Sequence, residues 1–264
     1  MGGWPTQSGT GVRFEWGPAG ADRLARETAC LVVVDVLSFT TAVSVAVGKG
    51  TRVLPFRWPQ RDPTAVERAG VEKAATAYAH QCGARLAVHR ADVTPATPWS
   101  LSPDHLRQAP FASRLVLPSP NGAAICAAAP RDVRLVAACL RNVTAVGGWL
   151  TAHGYGTSEH PVVVIAAGER WPDGSLRPAL EDLLGAGALV SELSSQGAGP
   201  ISPEAAAAKA AYEGTADVAH AVAAGSSGRQ LAAMGFVEDV AIAAEEDTCS
   251  VVPVRDGDGA FVPG

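Results

Sequence analysis

The run Ala29-Cys30-Leu31-Val32-Val33-Val34-Asp35-Val36 constrains the chain more than any other segment. It is continuously apolar and rich in β-branched side chains, with no polar–apolar alternation, which is the pattern of a strand buried on both faces of a sheet. Such a strand needs helices above and below it, so this segment alone predicts an α/β architecture. Asp35 lies at the end of the run. A carboxylate there is costly unless it is hydrogen-bonded, paired or bound to a metal; an Asp that simply caps the next helix is the equal alternative.

Strand and helix signals alternate through most of the chain beyond this run. Thr51–Phe56, Arg85–His89, Arg114–Leu117, Val133–Ala137 and Pro161–Ala166 read as further strands. Helices are expected over Thr41–Val47 and Pro63–Cys82, from about Gly122, from about Asn142, and over Ala179–Leu193; Gly48 and Gly83 stop the first two. This order predicts a three-layer α/β/α fold with a mainly parallel sheet. Arg90–Pro110 holds four prolines and little periodicity, so a long functional loop is expected there.

The last third turns helix-rich. Ser202-Pro203-Glu204 caps an Ala-rich helix ended by Gly214, and helices over Asp217–Ala224, Ser227–Met234 and Phe236–Glu246 precede a late strand, Ser250–Val254. Residues 1–264 are expected to form one domain. A helical C-terminal subdomain from about residue 200, hinged at Gln196–Pro200, is the variant of that expectation.

Composition limits the function classes. A chain of 264 residues that is 47% hydrophobic can bury one large core. Its net charge of −5, without a Lys/Arg run and with few aromatics, argues against a nucleic-acid surface. No segment approaches the roughly 20 consecutive apolar residues of a membrane span. Met1–Arg13 lacks the basic-then-apolar order of a secretory signal, so a cytoplasmic location is expected. The five cysteines include no C-x-x-C pair, which disfavours a zinc knuckle or a disulfide framework. There is no Walker A sequence and no G-x-S-x-G elbow, and Leu37 stands where a haloacid-dehalogenase-type phosphatase would carry its second Asp.

In open parallel sheets, ligands bind beyond the carboxyl ends of the strands. Four polar segments directly follow predicted strands: Asp35–Thr41, Pro118–Gly122, Cys139–Asn142, and Gly168-Glu169-Arg170 running on to Glu181-Asp182. Ser38, Thr40 and Thr41 stand at a helix entrance, where hydroxyls and free N–H groups can hold phosphate; ordinary N-capping is the alternative. Ser119, Asn121 and Gly122 offer donors and a close backbone approach, or simply a tight turn. Arg141 and Asn142 repeat that pattern after the next strand. Glu181 and Asp182 are helix neighbours that face different ways, so one of them aims squarely at the site. Asp35, Glu169, Glu181 and Asp182 are the catalytic candidates. Asp35, Glu181 and Asp182 offer the oxygen ligands that Mg²⁺ prefers, while Arg170 and Arg177 can clamp phosphate bidentately.

At these same segments the chain resembles the 2-phosphosulfolactate phosphatases, the ComB-like family. The matching stretches are Val33-Val34-Asp35-Val36-Leu37 with Thr40-Thr41, Ser119-Pro120-Asn121-Gly122, Asn142 with Ala145-Val146, Ala167-Gly168, and Glu181-Asp182-Leu183-Leu184-Gly185-Ala186-Gly187. Gly228–Leu231, Gly235, Glu238-Asp239-Val240 and Val252-Pro253 continue the match. The resemblance implies a three-layer α/β/α enzyme that uses Mg²⁺ to hydrolyse 2-phosphosulfolactate to sulfolactate and phosphate, in a coenzyme M type pathway. Its partner is a small phosphorylated anionic substrate, with no nucleic acid and no membrane; a homo-oligomer is compatible with it.

The chain departs from the family pattern in three places. Ser38 stands where the family usually has Arg, Ser100-Leu101-Ser102-Pro103 replaces a Gly-Asn-Ser-Pro segment, and the loop Glu169–Pro178 is longer, carrying Arg170, Trp171 and Arg177. Arg170 or Arg177 could restore the missing charge. The departures leave open a phosphatase of another phosphorylated hydroxy acid, or a non-catalytic homologue that binds an anionic metabolite.

Overall fold

Strand β2 (Cys30–Val34) lies inside the sheet with every side chain buried, as its unbroken apolar run requires. The structure, a computed structural model, describes residues 4–59 and 64–264. Parallel neighbours flank β2: β7 (Val162–Ala166) on one side and β6 (Arg134–Ala138) on the other, with Val32 level with Val164 and Val136. Strand β1 (Val12–Trp16) closes that edge against β7. A second parallel block consists of β3 (Arg52–Arg57), β5 (Arg114–Ser119) and β4 (Arg85–Leu86). The hairpin of β10 (Pro253–Arg255) and β11 (Phe261–Pro263) joins the blocks, β10 antiparallel to β6 and β11 antiparallel to β3. The described residues thus form a nine-stranded sheet in the order β1-β7-β2-β6-β10-β11-β3-β5-β4. A separate hairpin pairs β8 (Glu169–Arg170) with β9 (Leu176–Arg177).

Helices cover both faces. On one face α1 (Gly17–Leu24), α2 (Phe39–Gly48) and α5 (Gly122–Ala128) bury Leu24, Phe39 and Ile125 against Leu31, Val33, Leu115 and Leu135. On the other, α6 (Val143–Ala152), α7 (Leu180–Ser195) and α8 (Pro203–Glu213) pack Leu150, Leu189 and Ala208 against Val32, Val136 and Val164. Helix α3 (Ala65–Gln81) sets Ala79 on Leu54 and Val116 of the second block. It begins with a capping box in which Glu67 N–H donates to Thr64 Oγ1 at 3.3 Å and Glu67 Oε2 accepts Thr64 N–H at 2.8 Å. The start expected at Pro63 lies outside the described residues.

The C-terminal part is built into the same body. Ser202 Oγ accepts the Ala205 N–H at 3.1 Å and Pro203 opens α8. Helix α8 then crosses α7 so closely that a Cβ on Gly187 would lie 2.1 Å from the Ala208 carbonyl oxygen. Val218 and Val222 of α9 (Val218–Ala224) and Val240 of α11 (Val237–Ala243) belong to the same apolar core as β2 and β7. Helix α10 (Ser226–Ala233) connects them, and the chain's last strands fill the middle of the sheet. Three features had no counterpart in the sequence reading: the β1–α1 unit, the β8–β9 hairpin and β11. The Arg90–Pro110 segment, expected as loop throughout, contains the short helix α4 (Pro103–Gln108), whose N-cap Ser102 accepts the His105 N–H at 3.1 Å. Among the described residues no helix is long and apolar enough to cross a membrane.

Candidate active site

The loops that follow β2, β5 and β7 meet at one cleft of about 180 Å³, lined by Asp35, Ser38, Arg90, Ser119, Asn121, Glu169 and Ser227 among others. Asp35 leaves β2 buried and is held by two backbone donors: Oδ1 accepts Phe39 N–H at 3.2 Å and Oδ2 accepts Gly122 N–H at 2.7 Å. Gly122 is a steric requirement here. A Cβ at that position would fall 2.3 Å from the Phe39 ring and 2.8 Å from Asp35 Oδ2, so only glycine lets α5 begin against the carboxylate. Burial, reinforced by the Glu181 charge, outweighs the two N–H donors and Arg90, and pushes Asp35 up to about 6.

Glu169 stands at the start of the β8–β9 hairpin, and its Oε2 accepts Asn121 Nδ2–H at 3.1 Å. Burial, with Asp35 and Glu181 nearby, pushes its carboxyl up to about 7 against the opposing pull of Asn121 and Arg177. Asn121 is itself buried, and its Oδ1 is the one sealed side-chain oxygen among the described residues that has no hydrogen-bond donor. A buried acceptor is costly when left so. Its position in the cleft marks a place for a donor or a cation.

Asp182 performs a different task from Asp35. Its Oδ1 accepts Val36 N–H and its Oδ2 accepts Gly168 N–H, each at 2.8 Å, so it ties the turn after β2 to the turn after β7. Burial first, then Asp35 and Glu181, raise it well above the usual carboxylate range. Glu181 is buried one position earlier, points toward Gly225 between α9 and α10, and accepts no hydrogen bond from the described residues. The two neighbours do face different ways, but neither lines the cleft, which corrects the expectation that one of them aims squarely into it.

Several candidates turn out to be structural. Thr40 Oγ1 donates to the Asp35 carbonyl at 2.8 Å and accepts Asp35 N–H at 3.0 Å, while Thr41 Oγ1 donates to the Val36 carbonyl at 2.8 Å. Both hydroxyls therefore fix the turn around Asp35 instead of facing a ligand. Arg141 and Asn142 stand apart from the cleft, which corrects their reading as substrate contacts. Arg141 is buried, paired with Glu245 and bonded through Nε to Ser44 Oγ at 3.3 Å. Asn142 accepts the Cys139 N–H at 2.9 Å and donates to the Val251 carbonyl at 3.1 Å, pinning the chain after β6 to the segment before β10. Arg170 also lies away from the lining, with its guanidinium toward Gly17 and its buried Nε unpaired. Arg177 borders the cleft through Ser227, donating to its Oγ at 3.3 Å, with the Trp171 ring 5.8 Å from its guanidinium.

The sequence reading missed Arg90, Asp239 and Ser227. Arg90 had a usable signal, because it follows directly on the predicted strand Arg85–His89, as the other site segments follow theirs. Asp239 had none beyond its place in the family match, since it acts through Arg90 from a helix 149 residues away.

An α/β sheet that brings shifted carboxylates and an arginine together in a small cleft beyond its strand ends defines an enzyme with a polar, anion-directed site. A family model described as 2-phosphosulpholactate phosphatase matches residues 20–258, nearly the whole chain. The chain belongs to that family and is a phosphatase. No curated protein matches it.

Proposed function

We propose that this cleft hydrolyses the phosphate ester of a small hydroxy acid that carries a further anionic group, with 2-phosphosulfolactate as the leading substrate, and that it does so with Mg²⁺ in the cytoplasm. The observation that carries the reading is the pair Asp35 and Glu169. Both line one cleft, and both are shifted toward neutral pH by burial and by neighbouring carboxylates. A carboxyl group near 7 can hold a proton for a leaving alkoxide or take one from water. Glu169, oriented by Asn121, is assigned that proton transfer. Asp35 is held rigidly by Phe39 and Gly122 and faces the reacting phosphoryl group.

The donor set fits a magnesium ion. Asp35 supplies a carboxylate and Asn121 Oδ1 a neutral oxygen without a donor, both on the same lining, while Glu169 stays outside the ligand set and keeps the proton transfer. Among the described residues no group of three or more His, Cys, Asp or Glu side chains could hold a metal ion by itself, so a Mg²⁺ ion here would depend on waters and the substrate phosphate for most of its ligands. When bound, the ion supplies charge stabilisation to the phosphoryl oxygens. Asp182 is then reassigned from ligand to positioning residue, while Glu181 adds negative charge beside the cleft. The guanidinium of Arg177, within electrostatic reach of Glu169 but in no direct ion pair among the described residues, is assigned to the phosphoryl oxygens.

Phosphate release from 2-phosphosulfolactate and from a panel of small phosphate esters, each with Mg²⁺ and with EDTA, tests the proposal. Mg²⁺-dependent turnover with a preference for phosphosulfolactate is expected. Turnover that persists undiminished in EDTA would remove the metal from the reading.

A further inference from the structure

Arg90 reaches the cleft from a short turn after β4, and its guanidinium is held at three points, the weakest being Nη2 to the Leu101 carbonyl at 3.5 Å. Nε donates to Asp239 Oδ2 at 3.0 Å, and Nη2 donates to Ser38 Oγ at 2.7 Å. Asp239 is 1% exposed and is fixed in turn, its Oδ1 accepting Ser102 Oγ–H at 2.5 Å and Asp104 N–H at 3.2 Å. The Phe236 ring lies 5.5 Å from the guanidinium. Arg90 is therefore placed before any ligand arrives, which lowers the ordering cost of binding.

Two donors of this assembly remain unshared. Arg90 Nη1 meets no protein acceptor among the described residues, and it is not sealed from solvent. Ser38 Oγ accepts from Arg90, and its own proton has no acceptor among the described residues. Ser38 and Arg90 line the same cleft as Asp35. Neighbouring O–H and N–H donors of this kind suit an oxyanion with two oxygens in one plane. The Asp239 carboxylate already balances much of the Arg90 charge, so a singly charged oxyanion matches this corner better than a doubly charged phosphoryl group. Arg177 is hydrogen-bonded to the Ser227 hydroxyl and forms no direct ion pair among the described residues, its nearest acidic influence being Glu169.

Resting on the proposed phosphatase reading for the other end of the cleft, we propose that Ser38 Oγ and Arg90 Nη1 form the subsite for the substrate's non-reacting carboxylate or sulfonate, with Asp239 as its positioning residue. The small Ser38 side chain leaves room for Arg90 to reach in from its own turn, so charge is supplied to this corner from a different strand connection.

The test compares kcat/KM for 2-phospholactate, which carries a carboxylate, with that for isopropyl phosphate, which carries no second anion; 2-phosphosulfolactate shows whether a sulfonate is read as well. The subsite predicts that the ratio of 2-phospholactate to isopropyl phosphate falls at least about tenfold in Arg90→Met, mainly through KM, and less steeply in Asp239→Asn. A merely structural role would depress both esters together and leave the ratio unchanged, and that result overturns the proposal. Because Arg90→Met strands a buried carboxylate, Ser38→Ala carries the same test with the Arg90–Asp239 pair intact, and the ratio should fall about threefold or more. If the wild-type protein hydrolyses none of these esters, the phosphatase reading of the cleft fails separately. The subsite is then decided by calorimetric titration of sulfolactate, for which Ser38→Ala and Arg90→Met should bind more weakly than wild type. Equal binding by all three proteins, or no binding by wild type, overturns it.

Discussion

Gly122 N–H donates to Asp35 Oδ2 at 2.7 Å, across 87 residues of sequence, so the end of β5 is fastened to the end of β2 through the carboxylate placed at the centre of the site. Gly122→Ala should break this joint. Its methyl group would meet the Phe39 ring at 2.3 Å, and Phe39 cannot swing away because it is fully buried against Phe261. A loss of about 1 to 3 kcal/mol is expected from overpacking, with phosphate release falling further than stability because Asp35 is displaced. Urea unfolding and turnover on the same preparation check this; full turnover by the Gly122→Ala variant would show that the contact is not needed.

Glu169 is half-buried and titrates near neutrality, which gives it a defined signature in stability. Its folded value of about 7 lies above the ordinary 4.5, so between those limits the folded protein holds a proton that the unfolded chain releases. The contribution is fully present below about 4.5 and is lost as pH rises through 7. Glu169→Gln removes that dependence. In EDTA, the wild type should lose on the order of 2 to 3 kcal/mol relative to the variant between pH 4.5 and 7.5. Denaturation midpoints of both proteins across that range measure it, and parallel curves would mean that Glu169 is not shifted.

Cation binding should run against the same burial cost. An ion beside Asp35 and Glu169 favours their charged forms, so Mg²⁺ should raise the melting temperature more at pH 8 than at pH 5, where protons compete. Asp35→Asn should reduce that increment and cut kcat by about a hundredfold or more, while remaining folded. An unchanged Mg²⁺ increment in the Asp35→Asn variant would remove Asp35 from the ligand set.

Much of the fold was legible because β2 and β7 have no polar face, and a strand of that kind has few architectures open to it. The site was legible where a residue's neighbours in sequence are also its neighbours in space. Asp35, Asn121, Gly122 and Glu169 each follow a strand directly and do meet. What could not be read was set by partners elsewhere in the chain. Arg90 depends on Asp239, and the β10–β11 hairpin finds its place only when β6 and β3 are already present to pair with it. Thr40 and Thr41 show the reverse limit: a hydroxyl at a helix entrance looks the same in sequence whether it holds a ligand or its own backbone.

Arg141 provides the sharpest separation of site from scaffold. In sequence it resembles an anion-binding arginine after a strand, yet its guanidinium is buried between Glu245, Ser44 and the Ile242 carbonyl. Glu245 also pairs with Arg107 at 2.5 Å and accepts Thr248 Oγ1–H at 3.1 Å, so removing Arg141 leaves that acid one cationic partner in place of two. The loss is then smaller than for a fully isolated buried charge, about 2 to 3 kcal/mol for Arg141→Met. Because no Arg141 atom lines the cleft, kcat and KM measured well below the melting temperature should remain within about twofold of wild type. An Arg141→Met protein that is stable but has a KM raised tenfold would return Arg141 to the substrate site, and would mean that the cleft extends beyond the lining residues toward β6.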